Sequence, residues 1–544
     1  MRLWGTALAA FGMMMCAAPA NAQPPAPHLA ARGKATQLVV DGRPFLILGG
    51  ELANSSSSSR AYMDARWQKL ADMHLNTVLL PVSWEQIESR EGHFDFSLVD
   101  GLIADARAHD LHLVLLWFGT WKNSMSSYVP DWVKRDWRRF PRVHTPDGKP
   151  IEIISPFSDA AKKADAHAFA MLMRHLKAVD GDRHSVLMVQ VENEVAMLPA
   201  AREHGPAADA AFARPVPQKL VDALASGAPG LGELRRRWRA NGAKRAGDWE
   251  TLFGAGDATD EAFIAWYLAR YVDAVAAAGK VEYDLPFYVN AALNRPSKRP
   301  GEYPSGGPLP HLLGLWKAAT PSIDLLAPDI YFPNFWELSG RYAAFNALFV
   351  PEAERASDSH VAANAWTAFG ARDAIGYSPF SIDSVGGADA QRIADTYAVL
   401  GSLEPQILAA QSSGNIAGFA APVSFDGSVD TTPREVVLGN YRFTVTMVDP
   451  FTAKDAQKPA EHGGIIIRTG DGAFIVAGSG ITVTASPADG QGQAGIASAW
   501  EGSFVDGKWQ PGRLLNGDET HQGRHIRLPP GKPMIQRVRY YRYR

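Results

Sequence analysis

Two glutamates close two apolar runs. Val186-Leu-Met-Val-Gln-Val-Glu-Asn-Glu194 is a run of strand formers ending on Asn193-Glu194, and Phe345-Asn-Ala-Leu-Phe-Val-Pro-Glu352 ends on a second acid. A near-continuous apolar run reads as a buried parallel strand, and a carboxylate at its C-terminal end stands where barrel enzymes keep their chemistry. One such Glu alone reads equally well as an acid in the first turn of the next helix. Two of them form the pair that glycosidic cleavage needs, one protonated and one ionised. Glu194 is read as the acid/base, its proton held by the nearby negative charge of Glu352. Glu352 is read as the nucleophile. Asn193 is placed to donate to a sugar hydroxyl, although Asn at a strand end is also ordinary turn chemistry. Tyr331, ending another apolar run, is placed to hold Glu352 by a hydrogen bond.

The elements that must position these groups recur along the chain. Strands are expected at 45–51, 76–84, 111–120, 186–193, 286–290, 323–331, 345–351 and 374–380, alternating with helical segments such as 60–73, 98–109, 158–178, 261–278 and 389–409. Eight strands alternating with helices imply an α/β fold, a (β/α)8 TIM barrel over residues 36–412, with a rim insertion at 195–260. A doubly wound sheet would want a glycine-rich phosphate loop after an early strand, and there is none. From residue 413 the helical periodicity stops. Short strands at 435–448, 464–468, 473–477, 481–484 and 524–528, broken by Gly, Asp and Pro, imply an all-β sandwich over 413–544. Its final stretch, Arg537-Val-Arg-Tyr-Tyr-Arg-Tyr-Arg544, reads as a strand with one solvated face.

The first 22 residues have the form of a signal peptide. Arg2 gives a positive start, residues 8–18 are apolar but too short to span a bilayer, and Ala20-Asn21-Ala22 is a small-residue site with cleavage expected before Gln23. The one cysteine, Cys16, lies inside this segment, so the mature chain has no thiol chemistry and no disulfide framework. Export implies a periplasmic or secreted protein with no membrane span after cleavage. Residues 23–35 are rich in Pro and Ala and read as a loose linker to the hairpin around Asp41-Gly42. Net charge is −3 without long runs, which gives no electrostatic footprint for nucleic acid. No His-Glu-x-x-His and no dense His/Asp cluster appears, so neither a metal nor a cofactor is expected. The expected partner is a carbohydrate, and the oligomeric state is left open. Fifteen tryptophans favour a sugar ligand, with Trp117, Trp121, Trp336 and Trp366 as candidate stacking platforms against simple packing.

The strand-four motif Gln190-Val-Glu-Asn-Glu194 resembles that of the family 35 β-galactosidases. Leu48-Gly-Gly-Glu51 is similar to that family's first-strand Gly-Gly-Glu, Trp84-x-x-x-Glu88-x-x-x-Gly92-x-Phe94-x-Phe96 to its segment after strand two, and Phe349-Val-Pro-Glu352 to its nucleophile strand. The resemblance implies net retention and galactose in the –1 subsite. It also implies that Asn193 and Glu192 lie near the sugar. Glu51, Trp84 and Asn290, at other strand ends, are expected as further substrate-binding residues. Other carboxylates at strand ends, Glu85, Glu88 and Asp329, read as loop salt bridges or polar sugar contacts. The sequence departs from the family after Glu51 (Leu-Ala-Asn), at Val195, and at the third strand end, Trp117-Phe-Gly-Thr120. The reading is therefore a retaining exo-β-galactosidase, with plant xyloglucan side chains as a suggested substrate. The alternatives are a β-glucosidase or endo-glucanase of the same clan, and a carbohydrate-binding protein on an inactive barrel.

Overall fold

The computed structural model describes residues 25–544. The signal peptide, Cys16 and the cleavage site lie outside the described residues. Eight parallel barrel strands are present. The first four are Ile47–Glu51, Thr77–Ser83, His112–Lys122 and Val186–Asn193. Strands five and six are Phe287–Ala292 and Leu325–Ile330. Strand seven is the broken pair Phe349–Val350 and Glu352–Ala353, and strand eight is Gly376–Tyr377. Proline has no N–H to give a ladder, so strand seven divides at Pro351. Its first half pairs with strand eight (Phe349↔Gly376) and its second with strand six (Asp329↔Glu352), which closes the barrel.

Successive side chains alternate between the two sides of the strands. Ile47, Leu79, Val114, Leu116, Met188, Tyr288, Leu325 and Phe349 fill the interior. Leu48, Val78, Leu80, Leu113, Leu115, Val189, Val289 and Leu326 face the surrounding helices. Residues 28–32 are not the expected loose linker. They form a strand paired with Ala35–Val40 (His28↔Val39), because Leu29 packs on the barrel floor that Leu38 and Val40 complete. The Asp41-Gly42 hairpin is present, with both residues at positive φ (50° and 76°) as a two-residue turn demands. The expected helix 389–409 is two helices, Gly387–Ser402 and Glu404–Ser413, with Pro405 starting the second. The rim insertion carries four short helices between residues 206 and 253.

Beyond residue 413 two antiparallel sheets face each other. One has six strands, in the order Ile416–Ala420, Gly463–Gly470, Ala473–Ser479, Met534–Tyr543, Gln493–Val505 and Lys508–Leu515. The other has four: Arg434–Leu438, Tyr441–Thr446, Ile481–Pro487 and Ile526–Leu528. The long strands 493–505 and 508–515 are not among those expected, and the expected strand 435–448 is a hairpin, 434–438 paired with 441–446. The run Ile465-Ile466-Ile467 shows how the six-stranded sheet is used on both faces. Ile466, with Phe474, Val476 and Val538, packs into the sandwich with Phe443 and Val483. Ile465 and Ile467, with Ile475, Ala477 and Ile535, join the barrel core beside Trp366 and Phe369. Helix Val361–Ala371 comes so close that a Cβ at Gly418 would stand 2.2 Å from the Trp366 carbonyl oxygen and 2.7 Å from Gly370 Cα.

Candidate active site

Parallel strands bring all their C-terminal ends to one mouth. Asp329 and Glu352 are ladder partners on neighbouring strands. Glu194 follows strand four, and one carboxyl oxygen each of Glu194, Asp329 and Glu352 lie within 4.8 Å of one another. The backbone is bent to achieve this. Glu192 and Glu194 have φ of 62° and 45° on either side of Asn193, and each such left-handed non-glycine residue costs about 1–3 kcal/mol.

A hydrogen-bond frame fixes the cluster. Asn290 accepts from the Glu194 backbone N–H (2.9 Å) and donates to Asp329 Oδ2 (2.6 Å). The Tyr331 hydroxyl donates to Glu352 Oε2 at 2.5 Å, and Asn193 Nδ2 stands 3.5 Å from Glu352 Oε1. Asn123 donates to Glu194 Oε2, and the Ser124 N–H donates to the Glu194 carbonyl. Glu51 is fully buried in the same cluster, and neither of its carboxyl oxygens has a partner among the described residues.

These carboxyls cannot all be ionised together. Burial, then the charge of Glu352, pushes the Glu194 carboxyl up to about 7, while Lys122 and the hydrogen bonds from Asp329 and Asn123 pull it down. Burial and then Glu352 also push Glu51 and Asp329 well above the ordinary carboxylate range. Lys122, buried at the end of strand three with its Nζ 5.0 Å from the Phe118 ring centroid, supplies the cluster's positive charge. Glu194, Asp329 and Glu352 each offer one oxygen at the spacing of a cation site.

Most of the expected residues meet here: Glu194, Glu352, Asn193, Tyr331, Glu51 and Asn290. Two do not. The Glu192 side chain leaves the mouth, accepts the Trp121 N–H (2.7 Å) and lies against Asp165. Asp165 in turn accepts from Trp117 Nε1 and from Thr120, so this buried acid pair braces strand three from outside. Trp84 is fully buried, donates to Glu88 Oε2 (2.7 Å) and packs edge-on against Trp132. Trp117, Trp121 and Trp366 are likewise packed, and Trp336 lies under Arg372. Glu85 pairs with Lys134, the loop salt bridge expected of it. Two members of the cluster, Lys122 and Asn123, are not among the expected residues, and Asp329, expected as a salt bridge or a polar sugar contact, stands among the carboxyls. Lys122 and Asn123 lie just past the point where strand three had been ended. Asp329 stands two residues before Tyr331, a spacing that itself places both on one side of a strand.

A family model described as β-galactosidase (glycoside hydrolase family 42) matches residues 54–242, and one described as a domain of unknown function (DUF5597) matches residues 393–527. A curated β-galactosidase of Xanthomonas manihotis is 37% identical over 83 residues, 15% of this chain; the chain spans only 14% of that relative's length. Among solved structures, the β-galactosidase from Bacillus circulans sp. alkalophilus is similar with a TM-score of 0.46 and 14% identity, covering 67% of this chain and 57% of that one. The β-galactosidase from the psychrophilic Marinomonas ef1 gives 0.45 and 12%, covering 67% and 61%.

Proposed function

We propose that the protein is a glycoside hydrolase, a retaining exo-β-galactosidase that removes terminal β-galactose by double displacement. The observation that carries this reading is the approach of Glu194 to Glu352 within 4.8 Å at the barrel mouth, with Glu194 titrating near 7. Retaining enzymes hold their two carboxyl groups ~5–5.5 Å apart, whereas inverting enzymes leave ~6.5–9.5 Å for a water. Glu352, gripped by Tyr331, attacks the anomeric carbon while protonated Glu194 gives its proton to the leaving oxygen. Glu194, now ionised, takes a proton from the water that hydrolyses the glycosyl ester on Glu352. Glu51, Asn193 and Asp329 stand around the –1 sugar and meet its hydroxyls. The match of residues 54–242 to a β-galactosidase model favours galactose. The finer resemblance of the strand-four motif to family 35, and xyloglucan side chains as substrate, belong to the same proposal.

The test is hydrolysis of p-nitrophenyl β-galactoside and β-glucoside by the wild type and by Glu352→Ala, with the first-formed anomer read by NMR. Galactoside turnover with the β-anomer appearing first, lost by at least about 10³-fold in the variant, is expected. Faster glucoside turnover rejects the sugar assignment. Full activity in Glu352→Ala rejects the nucleophile.

A further inference from the structure

The six-stranded sheet extends past the barrel, and its overhang carries an unusual face. In strand register, Trp500 stands opposite Arg537, Ser498 opposite Arg539, Gly495 opposite Tyr541 and Gln493 opposite Tyr543, so these side chains share one side. Tyr540 and Val538, between them, point into the sandwich core. Trp500 is 37% exposed, Tyr541 49% and Tyr543 51%. The rings lie along the sheet. A Cβ on Gly495 would stand 2.6 Å from the Tyr541 ring, and one on Gly502 would stand 2.6 Å from the Trp509 ring. Glycine at 495 leaves room for the half-exposed Tyr541 ring beside the neighbouring strand, whereas Trp509 packs edge-on against Phe504 and onto the barrel core. Arg537 lies 5.5 Å from the Trp509 ring centroid, and Arg539 follows two residues on, also exposed. No Asp or Glu stands on this face of the strands 493–505, 508–515 and 534–543; Glu501 is opposite Gln536, on the other side.

We propose that this overhang is a binding face for an acidic polysaccharide, a glycan strand bearing uronate carboxylates. Flat exposed rings stack on the apolar faces of sugar rings, as they do in cation and interface recognition. Two exposed arginines with no ion-pair partner among the described residues are complementary to carboxylates on the ligand. The face runs about 20 Å from Tyr543 to Arg537, six strand steps of ~3.4 Å each, long enough for several sugars. This site is separate from the barrel mouth and does not rest on the proposed catalytic activity.

The test is native affinity electrophoresis of the full-length protein in gels containing polygalacturonate or a neutral galactan, with poly(dT) as a phosphate polymer. Retardation by polygalacturonate, weakened by salt, is expected. Trp500→Ala with Tyr541→Ala should weaken it by about tenfold or more, and Arg537→Gln with Arg539→Gln should weaken it and remove its salt dependence. Hydrolysis of the aryl galactoside should be unchanged in both variants. If the aromatic variant unfolds early by thermal melt, the arginine variant, which keeps long exposed side chains, carries the test. No retardation by polygalacturonate, stronger retardation by the galactan, equal retardation by poly(dT), or undiminished retardation in the arginine variant would each overturn the proposal.

Discussion

At the scale of single residues, the site is a problem in sharing few protons among many buried carboxyls. With Glu194 near 7, kcat/KM for the aryl galactoside should fall on the alkaline side as that proton is lost. The Lys122 ammonium opposes the rise of Glu194, Glu51 and Asp329 alike. Lys122→Met should therefore move the alkaline limb to higher pH by roughly a unit. A pH–rate profile in which the limb stays or moves down removes Lys122 from the electrostatics of the site. Glu192 supports a contrasting expectation. Because its carboxyl accepts the Trp121 N–H and lies against Asp165, Glu192→Ala should lower thermal stability and leave KM unchanged. A raised KM with unchanged stability would restore it to the sugar.

At the scale of elements, small residues and one proline decide how closely pieces meet. Pro351 divides strand seven, so that Glu352 pairs with strand six and comes beside Asp329. Gly370 and Gly418 let the helix Val361–Ala371 lie against the first strand of the sandwich. Gly418→Ala would drive a methyl to 2.2 Å from the Trp366 carbonyl oxygen, and overpacking of this kind costs about 1–3 kcal/mol. Thermal unfolding should show a lowered midpoint with kcat and KM retained. An unchanged midpoint would mean that the helix moves aside freely.

At the scale of the whole molecule, the barrel and the sandwich share a core. Ile465, Ile467, Ile475 and Ile535 pack with Trp366 and Phe369, and each buried isoleucine is worth about 1.5–3 kcal/mol. A chain ending at residue 412 should accordingly lose solubility, and the intact protein should unfold in one calorimetric transition. Two separated transitions would show that the shared core is not energetically shared. Stability should also depend on pH in a definite direction. Glu194 is raised from 4.5 to about 7 in the folded state, and Glu51, Glu192 and Asp329 are raised too. Between the unfolded and folded values the native state holds more protons than the unfolded chain, so stability falls as pH rises through that window. For Glu194 alone the loss is about 3 kcal/mol. The protein should melt higher near pH 5 than near pH 8, by an amount that Asp329→Asn reduces.

Much of this was written in local pattern. The eight strands, the Asp41-Gly42 turn and the ends at Glu194 and Glu352 are legible because strand period, turn chemistry and chain punctuation are local properties. The same holds for the end of helical periodicity near residue 413. Other features came only with the tertiary structure. Glu192, one residue from Asn193, was read into the mouth, yet a positive φ and the Trp121 N–H draw its side chain outside the barrel. Trp84 was read as a sugar contact and is packing, because an indole shows no preference until its neighbours are placed. Lys122 joins the cluster only in the fold, since it and Asp329 are 207 positions apart along the chain and come together when the barrel closes. Sequence determined which segments become strands and which residues end them. Register, closure and burial decided which way those end residues point and how their protons are shared, because both depend on contacts between residues far apart in the chain.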